Sequence, residues 1–431
     1  MPLSATGWLE RARRAIPGGA PGFHRLFPDD RPVFATRGEG AWLYDTDERP
    51  YLDFVLGKGP IILGHGHPVV TEAVVEAIRR SPMLGLTSPV AIDAAEVLLE
   101  DFTPGHRLRF HKSGSEACAA AVRIARARSG RPIVLSCGYH GWHDWCSPEA
   151  PGVPAATGFV DFRYDLDRLS DLLLAHRDLV AAIIVEPQPG YLAPGFYADV
   201  AAMAESDGAM FILDEVKSGF RVTGGLVANS LPAQPDLVVL GKAISNGFCV
   251  SCVVGEADLM AMAERLHVAT TYDFETGPLA AIVATVGELR CGKVATLLSE
   301  RAEKLAIRLN AVFDAHDTAA QAFATGAGFR FGFLDPEVEA AFYRAAWENG
   351  ILLYPFDNQF LSLAHDTREL THFVETADTV LSTIGGTGDF RRADAIDRPL
   401  HAFPNRKGFL VGAQGPAGRS DNTSLQRRRL S

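Results

Sequence analysis

The chain has no run of about 20 apolar residues, the length a helix needs to cross a membrane, and no apolar leader core at its start. A cytoplasmic location is expected. Cysteine is scarce: six residues, at 118, 137, 146, 249, 252 and 291, are scattered over 431, too few for a disulfide scaffold. Cys249-x-x-Cys252 has redox or zinc spacing, but no second pair or histidine cluster accompanies it. Both are expected to be buried thiols of an apolar run. Positive charge is in deficit, with 41 Lys and Arg against 52 Asp and Glu, a net charge of −11. That balance opposes non-specific nucleic-acid binding and attraction to an anionic membrane surface. Internal repeats and heptad seams are absent too. What remains is an ordinary globular composition, 47% hydrophobic and 22% charged, long enough for a large domain and a smaller one.

The most informative stretch runs from Met210 to Val254. Met210–Leu213 is a short apolar run ending in Asp214 and Glu215, and Leu237–Leu240 is a second, ending in Gly241 and Lys242. Such runs, bounded by turn residues, read as buried strands of a parallel sheet. Ligands of open α/β sheets sit beyond the carboxyl ends of these strands, so one carboxylate and one lysine reach one cleft. A desolvated lysine can condense with an aldehyde, and a buried aspartate can pair with a protonated pyridine nitrogen. Both suit pyridoxal 5′-phosphate (PLP). Alone, each has an ordinary reading: the lysine as a solvated loop end, the acids as a helix cap.

Three other segments bear on the same chemistry. Leu108–Phe110 reads as a strand, followed by Ser113-Gly114-Ser115 and an alanine-rich helix to about Ser129. A strand, a Ser-Gly-Ser turn and a helix start make an anion site from open backbone N–H groups and the positive helix end. The same residues also serve as an ordinary serine cap with Glu116 in the first turn. Ile133–Ser136 leads into C-G-Y-H-G-W-H-D-W at Cys137–Trp145, whose His140-x-x-His143-Asp144 is not a zinc spacing; no metal is expected. Ala181–Val185 is a buried strand ending in Glu186-Pro187.

Taken together, D-E-V-K-S-G-F-R, L-G-K-A-I-S-N-G, S-G-S-E-A, Y-H-G and F-L-S-L-A-H (Phe360–His365) resemble the class III, fold type I PLP-dependent aminotransferases. The resemblance covers roughly Ile16 to Leu381, and the nearest likeness is to glutamate-1-semialdehyde aminomutase and its aminotransferase relatives. It implies an α/β fold: a large domain with a mostly parallel sheet of the seven-stranded type and a smaller α+β domain built from both termini. Residues 1–66 and 286–384 would form the small domain and 67–285 the PLP-binding domain, leaving 385–431 as a flexible tail. Lys242 is implied as the Schiff-base lysine and Asp214 as the partner of the pyridine nitrogen. Val216 and Tyr139 would cover opposite ring faces, with His140-Gly141 shaping the adjoining loop. Ser113, Gly114 and Ser115 would hold the phosphate, and Glu186 would lie towards the ring hydroxyl. In T-Y-D-F-E-T, Thr271 would reach the phosphate of a neighbouring subunit, which implies a homodimer with shared active sites.

On the substrate side, P-G-G-x5-R-x-F places Arg25 where the aminomutase binds a carboxylate. Lys58 stands where that enzyme has tryptophan, and Trp142 is a candidate to line the cleft. The aminomutase's P-x-x-F-E is shortened to Pro355-Phe356-Asp357-Asn358-Gln359, so its substrate-side glutamate is missing. The expected reaction is transfer of an amine from an amino-acid donor to a ketone or aldehyde such as a keto-sugar or cyclitol. The alternatives are an intramolecular aminomutase or a scaffold without catalysis. Further along, Asp258–Leu266 is expected as a helix and Leu279–Asp314 as one long helical region.

Overall fold

The computed structural model describes residues 5–20, 33–147, 152–153, 158–232, 234–355 and 357–384. Arg25 and the tail from 385 lie outside them. Helix α1 (Ala5–Ala15) belongs to a unit apart from the body that begins at Ala35.

The body opens with three antiparallel strands, β1 (Ala35–Glu39), β2 (Trp42–Asp45) and β3 (Pro50–Asp53). Two helices follow, α2 (Pro68–Arg80) and α3 (Pro89–Leu99), each started by a proline, whose missing N–H costs nothing there. Next come β4 (His106–His111), α4 (Gly114–Ser129), β5 (Ile133–Cys137), β6 (Phe159–Asp161), α5 (Leu166–Ala175), β7 (Val180–Val185), α6 (Pro194–Asp207), β8 (Met210–Asp214), β9 (Leu237–Leu240) and β10 (Ser251–Glu256). These strands build one seven-stranded sheet in the order β4-β10-β9-β8-β7-β5-β6. Only β10 runs against its neighbours. The central strands β7, β8 and β9 are almost wholly apolar because both their faces are covered, whereas edge strand β4, H-R-L-R-F-H, is only partly buried. Alternate residues feed two separate cores: Ala182, Ile184, Ile212 and Val239 pack with the alanines of α4, while Ile183, Val185, Leu213 and Val238 face the larger core on the other side. The period of two along each strand makes that division.

A short helix α7 (Ala257–Met260) precedes α8 (Thr276–Cys291) and α9 (Val294–Ala315). The single helix expected from Asp258 to Leu266 ends at Met260 and continues only as a tight 3₁₀ turn, Ala261–Glu264. The long region expected from Leu279 is two helices, broken where Lys293 adopts φ 46°. The chain finishes with β11 (Ala320–Ala324), β12 (Gly328–Phe333), α10 (Pro336–Glu348), β13 (Ile351–Leu352), β14 (Gln359–Phe360) and α11 (Thr367–Ile384). β13 pairs parallel to β3, joining the two ends of the body in one four-stranded sheet.

Arg221 clamps these parts together. It is 3% exposed, and among the described residues no carboxylate pairs with it. Its guanidinium instead donates to the carbonyls of Gly59, Ala327 and Leu361, and burial pulls it well below its ordinary value. Arg221→Ala leaves three carbonyls without this donor and opens a cavity, offset in part by relief from burying an unpaired charge. The expected net loss is about 2–3 kcal/mol, read as a lower urea midpoint.

Candidate active site

The carboxyl ends of the parallel strands converge on one cleft. Ser113 follows β4, Tyr139 and His140 follow β5, Glu186 follows β7, Asp214 closes β8, and Gly241-Lys242 follow β9. Asp214 and Val239 are paired across β8 and β9. The two loops that leave these strands therefore start side by side, and Val216 Cγ1 lies 3.3 Å from where a Cβ on Gly241 would stand.

Lys242 adopts φ 46°, the left-handed region, which a residue with a Cβ occupies at a cost and which clusters at functional sites. The residue keeps some contact with solvent, yet its amine is held below the usual lysine value. Burial is the main cause; Lys217 adds to it, and Glu186, Asp357 and Asp214 oppose it. Among the described residues no carboxylate forms an ion pair with this amine. An uncharged amine is the nucleophilic form.

Asp214 is 2% exposed. Its Oδ2 accepts from His140 Nδ1 at 2.7 Å and from the Cys118 thiol at 3.2 Å, and its Oδ1 accepts from the Val216 N–H at 3.1 Å. The far nitrogen of His140 donates to the Cys137 carbonyl at 3.2 Å. Both ring nitrogens thus face oxygens, so the ring is held from both ends. Trp145 stacks on the imidazole with centroids 6.4 Å apart. His140 is therefore not a loop-shaping residue alone: it orients Asp214 from behind. Cys118, His140 and Asp214 have ligand atoms within 4.8 Å of one another, but thiol and imidazole are already spent on Oδ2. The neighbouring acid, Glu215, points away. It accepts from Val227 N–H, Ala228 N–H and the Ser218 hydroxyl, and burial pushes it up to about 7 despite those donors.

Ser113 caps α4: its hydroxyl accepts from the Glu116 N–H, and Glu116 accepts from the N–H groups of Lys112 and Ser113. The first-turn N–H groups of Gly114 and Ser115 have no helical acceptor. The approach to them is tight. A Cβ on Gly114 would stand 2.7 Å from Val216 Cγ1, and one on Gly141 would stand 2.2 Å from Ser115 Oγ. Side chains at these two positions would crowd the helix end, so the glycines keep its open N–H groups approachable by an anion. The aldehyde-reactive lysine, the buried carboxylate and this helix end fit PLP as one set.

Tyr139 leaves its ring 52% exposed at the cleft while its N–H donates to Glu186 Oε2 at 3.0 Å. Trp142 is 72% exposed and edge-on to His143. Lys58 adopts φ 71° and carries its ammonium 5.5 Å from the Tyr354 ring centroid. Burial lowers Lys58, and Asp357 opposes that shift. Because Asp357 acts on Lys58, Lys217 and Lys242 alike, the shortened loop still delivers an acid to the cleft, one residue type removed from the absent glutamate. Thr271 is exposed at the start of a 3₁₀ turn, and Glu275 in the same segment pairs with Lys112 at 2.6 Å. Cys249 departs from expectation: it is exposed, and only Cys252 is buried.

Sequence reasoning missed two groups, Lys217 and Asp357. The signal for the first was present: Lys217 stands within D-E-V-K, three positions past Asp214.

Residues 28–378 match the family of class-III aminotransferases. The chain belongs to that family. It is 32% identical to a glutamate-1-semialdehyde 2,1-aminomutase of Syntrophomonas wolfei, over 86% of this chain and 96% of that one. It is 31% identical to the 2′-deamino-2′-hydroxyneamine transaminase of Streptomyces kanamyceticus, over 81% and 89%. The PLP internal aldimine form of the FumI protein of Sphingopyxis sp. superposes with a TM-score of 0.83 at 26% identity, covering 93% of this chain and 99% of that one. This class-III aminotransferase therefore has relatives of both transferase and mutase type. Among its described residues no helix is long and apolar enough to cross a membrane.

Proposed function

We propose that the acceptor of this aminotransferase is a hydroxyl-rich ketone or aldehyde, a keto-sugar or a cyclitol, with an amino acid as donor. The cofactor is PLP, and the chemistry is transamination. One observation carries the reading: on a residue in the left-handed region, an amine held below the usual lysine value and free of any carboxylate ion pair stands at the same strand ends as a buried carboxylate braced by imidazole and thiol.

When bound, PLP supplies an aldehyde for the amine and a pyridine ring that withdraws electrons from the substrate. Lys242 would hold the cofactor, and its amine would move the proton at the substrate's α-carbon as base and then acid. Asp214 keeps the ring nitrogen protonated, and His140 and Cys118 fix its orientation. Gly114, Ser115 and Ser113 hold the phosphate through hydrogen bonds at the helix start. Tyr139 and Val216 exclude water from the ring faces, and Glu186 closes the third side. Lys58, Asp357 and Tyr354 offer both signs of charge and an aromatic face to a polar acceptor, with Trp142 as a further lining candidate; Arg25, outside the described residues, is the candidate of the sequence pattern for a substrate carboxylate. The likeness to a transaminase of an aminoglycoside precursor supports that acceptor class.

The rival reading, an intramolecular aminomutase, is favoured by the 32% identical relative and opposed by Lys58 and the lost glutamate. A single-turnover screen separates them. PLP-loaded protein is mixed with one amino acid at a time and the change of its visible band is followed, then keto-sugars are added to restore it. Restoration by an added carbonyl supports the transferase; turnover of one substrate with no second supports the mutase; a protein that takes up no PLP ends both.

We also place two copies in a shared-site homodimer, with the exposed Thr271 directed to the neighbouring phosphate. We place the enzyme in the cytoplasm, where its six free cysteines stay reduced.

A further inference from the structure

Lys217 has no part in the roles above, yet it lies in the same cleft. Its Nζ is 2.7 Å from Glu186 Oε1, with the two side chains 17% and 8% exposed. The other oxygen of Glu186 accepts from the Tyr139 N–H at 3.0 Å and from Gln188 Nε2 at 3.1 Å. One chain of contacts therefore ties the loop after β8 to the end of β7 and the loop after β5, three neighbouring strands. Lys217 follows Val216, which packs against Gly241, and Lys242 follows Gly241. Lys217 and Lys242 each stand three positions past a paired residue, Asp214 and Val239, on neighbouring strands.

A second lysine beside a Schiff-base lysine is not neutral. Burying an ammonium without a partner is costly; here Glu186 supplies one, so Lys217 stays charged. Burial, the largest single effect, would lower Lys217, but Glu186 and Asp357 together outweigh burial and the opposing Arg330, and the net shift is upward. A fixed positive charge disfavours a second one nearby, as in lysines activated by an adjacent cation.

We propose that Lys217, ion-paired to Glu186, is a positioning residue for Lys242: its ammonium keeps one positive charge in the cleft and favours the uncharged, nucleophilic form of the neighbouring amine. The inference rests on the PLP reading above. The groups that face Lys242 are Lys217, Glu186, Asp357 and Asp214, and the pair tested comprises the first two.

The test is a pH titration of the visible band of PLP-loaded protein from about pH 5 to pH 10. Lys217→Met should raise the midpoint by about one unit, and Lys217→Arg should restore it to within about 0.3 unit of wild type. Glu186→Gln leaves the Lys217 charge uncompensated and should lower the midpoint. Opposite signs from the two halves of one ion pair are not what a loss of packing produces. If Lys217→Met alone does not fold, the comparison becomes Glu186→Gln against the double variant Glu186→Gln, Lys217→Met, in which the second change must raise the midpoint again. An unmoved midpoint in folded, loaded Lys217→Met, or shifts of the same sign in both single variants, overturns the proposal. A Lys242→Ala protein that kept the titrating band would instead overturn the PLP–lysine reading itself, so the two failures are distinguishable.

Discussion

Replacing Lys242 with alanine is expected to remove the visible band of PLP-loaded protein and lower turnover by at least about 10⁴-fold. The size follows from the loss of two functions. On the proposed mechanism the amine would anchor the cofactor covalently and the same nitrogen would carry the substrate's α-proton; Lys217 is not free to take its place, being held by Glu186 at 2.7 Å. Folding should survive. An alanine at this position would keep the left-handed backbone at a similar cost, and removal of an unpaired, partly buried amine relieves desolvation. Absorbance spectra and single-turnover kinetics, with thermal unfolding as control, measure all three. Residual turnover within about tenfold of wild type would remove the lysine from the mechanism.

The second large effect is expected at Asp214. Asp214→Asn should cost about 3–4 kcal/mol of transition-state stabilisation, a rate loss of about 10²–10³-fold, with stability changed by less than about 1 kcal/mol. The asymmetry comes from His140. Its far nitrogen donates to the Cys137 carbonyl, so with asparagine the near nitrogen can drop its proton and accept from the new amide. The Val216 N–H, now bonded to Oδ1, can keep the amide oxygen as acceptor. The Cys118 thiol, which now donates to Oδ2, would have to turn and accept from the amide, a weak bond, so the buried network loses little while the negative charge proposed to keep the pyridine nitrogen protonated is gone. The readout is kcat in the half-reaction set beside the urea midpoint. A loss of stability matching the loss of rate would show that Asp214 only holds the fold.

The candidate site was legible where function depends on residue type and local pattern. The strand Met210–Leu213 with Asp214 at its end, and Leu237–Leu240 with Lys242 just beyond, stand in the structure within a residue of their expected bounds. The Ser113–Glu116 cap is present with both hydrogen bonds. Less legible were elements with little periodicity. β6 has three residues, β13 and β14 two each; such pieces are strands only because a neighbour offers hydrogen bonds. The break between α8 and α9 hangs on one left-handed residue inside an otherwise helical run. Cys249 looked buried because its neighbours are apolar, yet it precedes β10 and stays exposed.

By itself the amino-acid order determined the strand and helix periods, the capping chemistry and the choice of a candidate lysine and its acid. These are short-range properties, written in residues a few positions apart. Tertiary structure alone decided which charges meet. That His140 and Cys118 brace Asp214 and that Lys217 spends its ammonium on Glu186 follow from the order of strands in the sheet. Electrostatic interaction depends on distance through space and on burial, and neither can be counted along a chain.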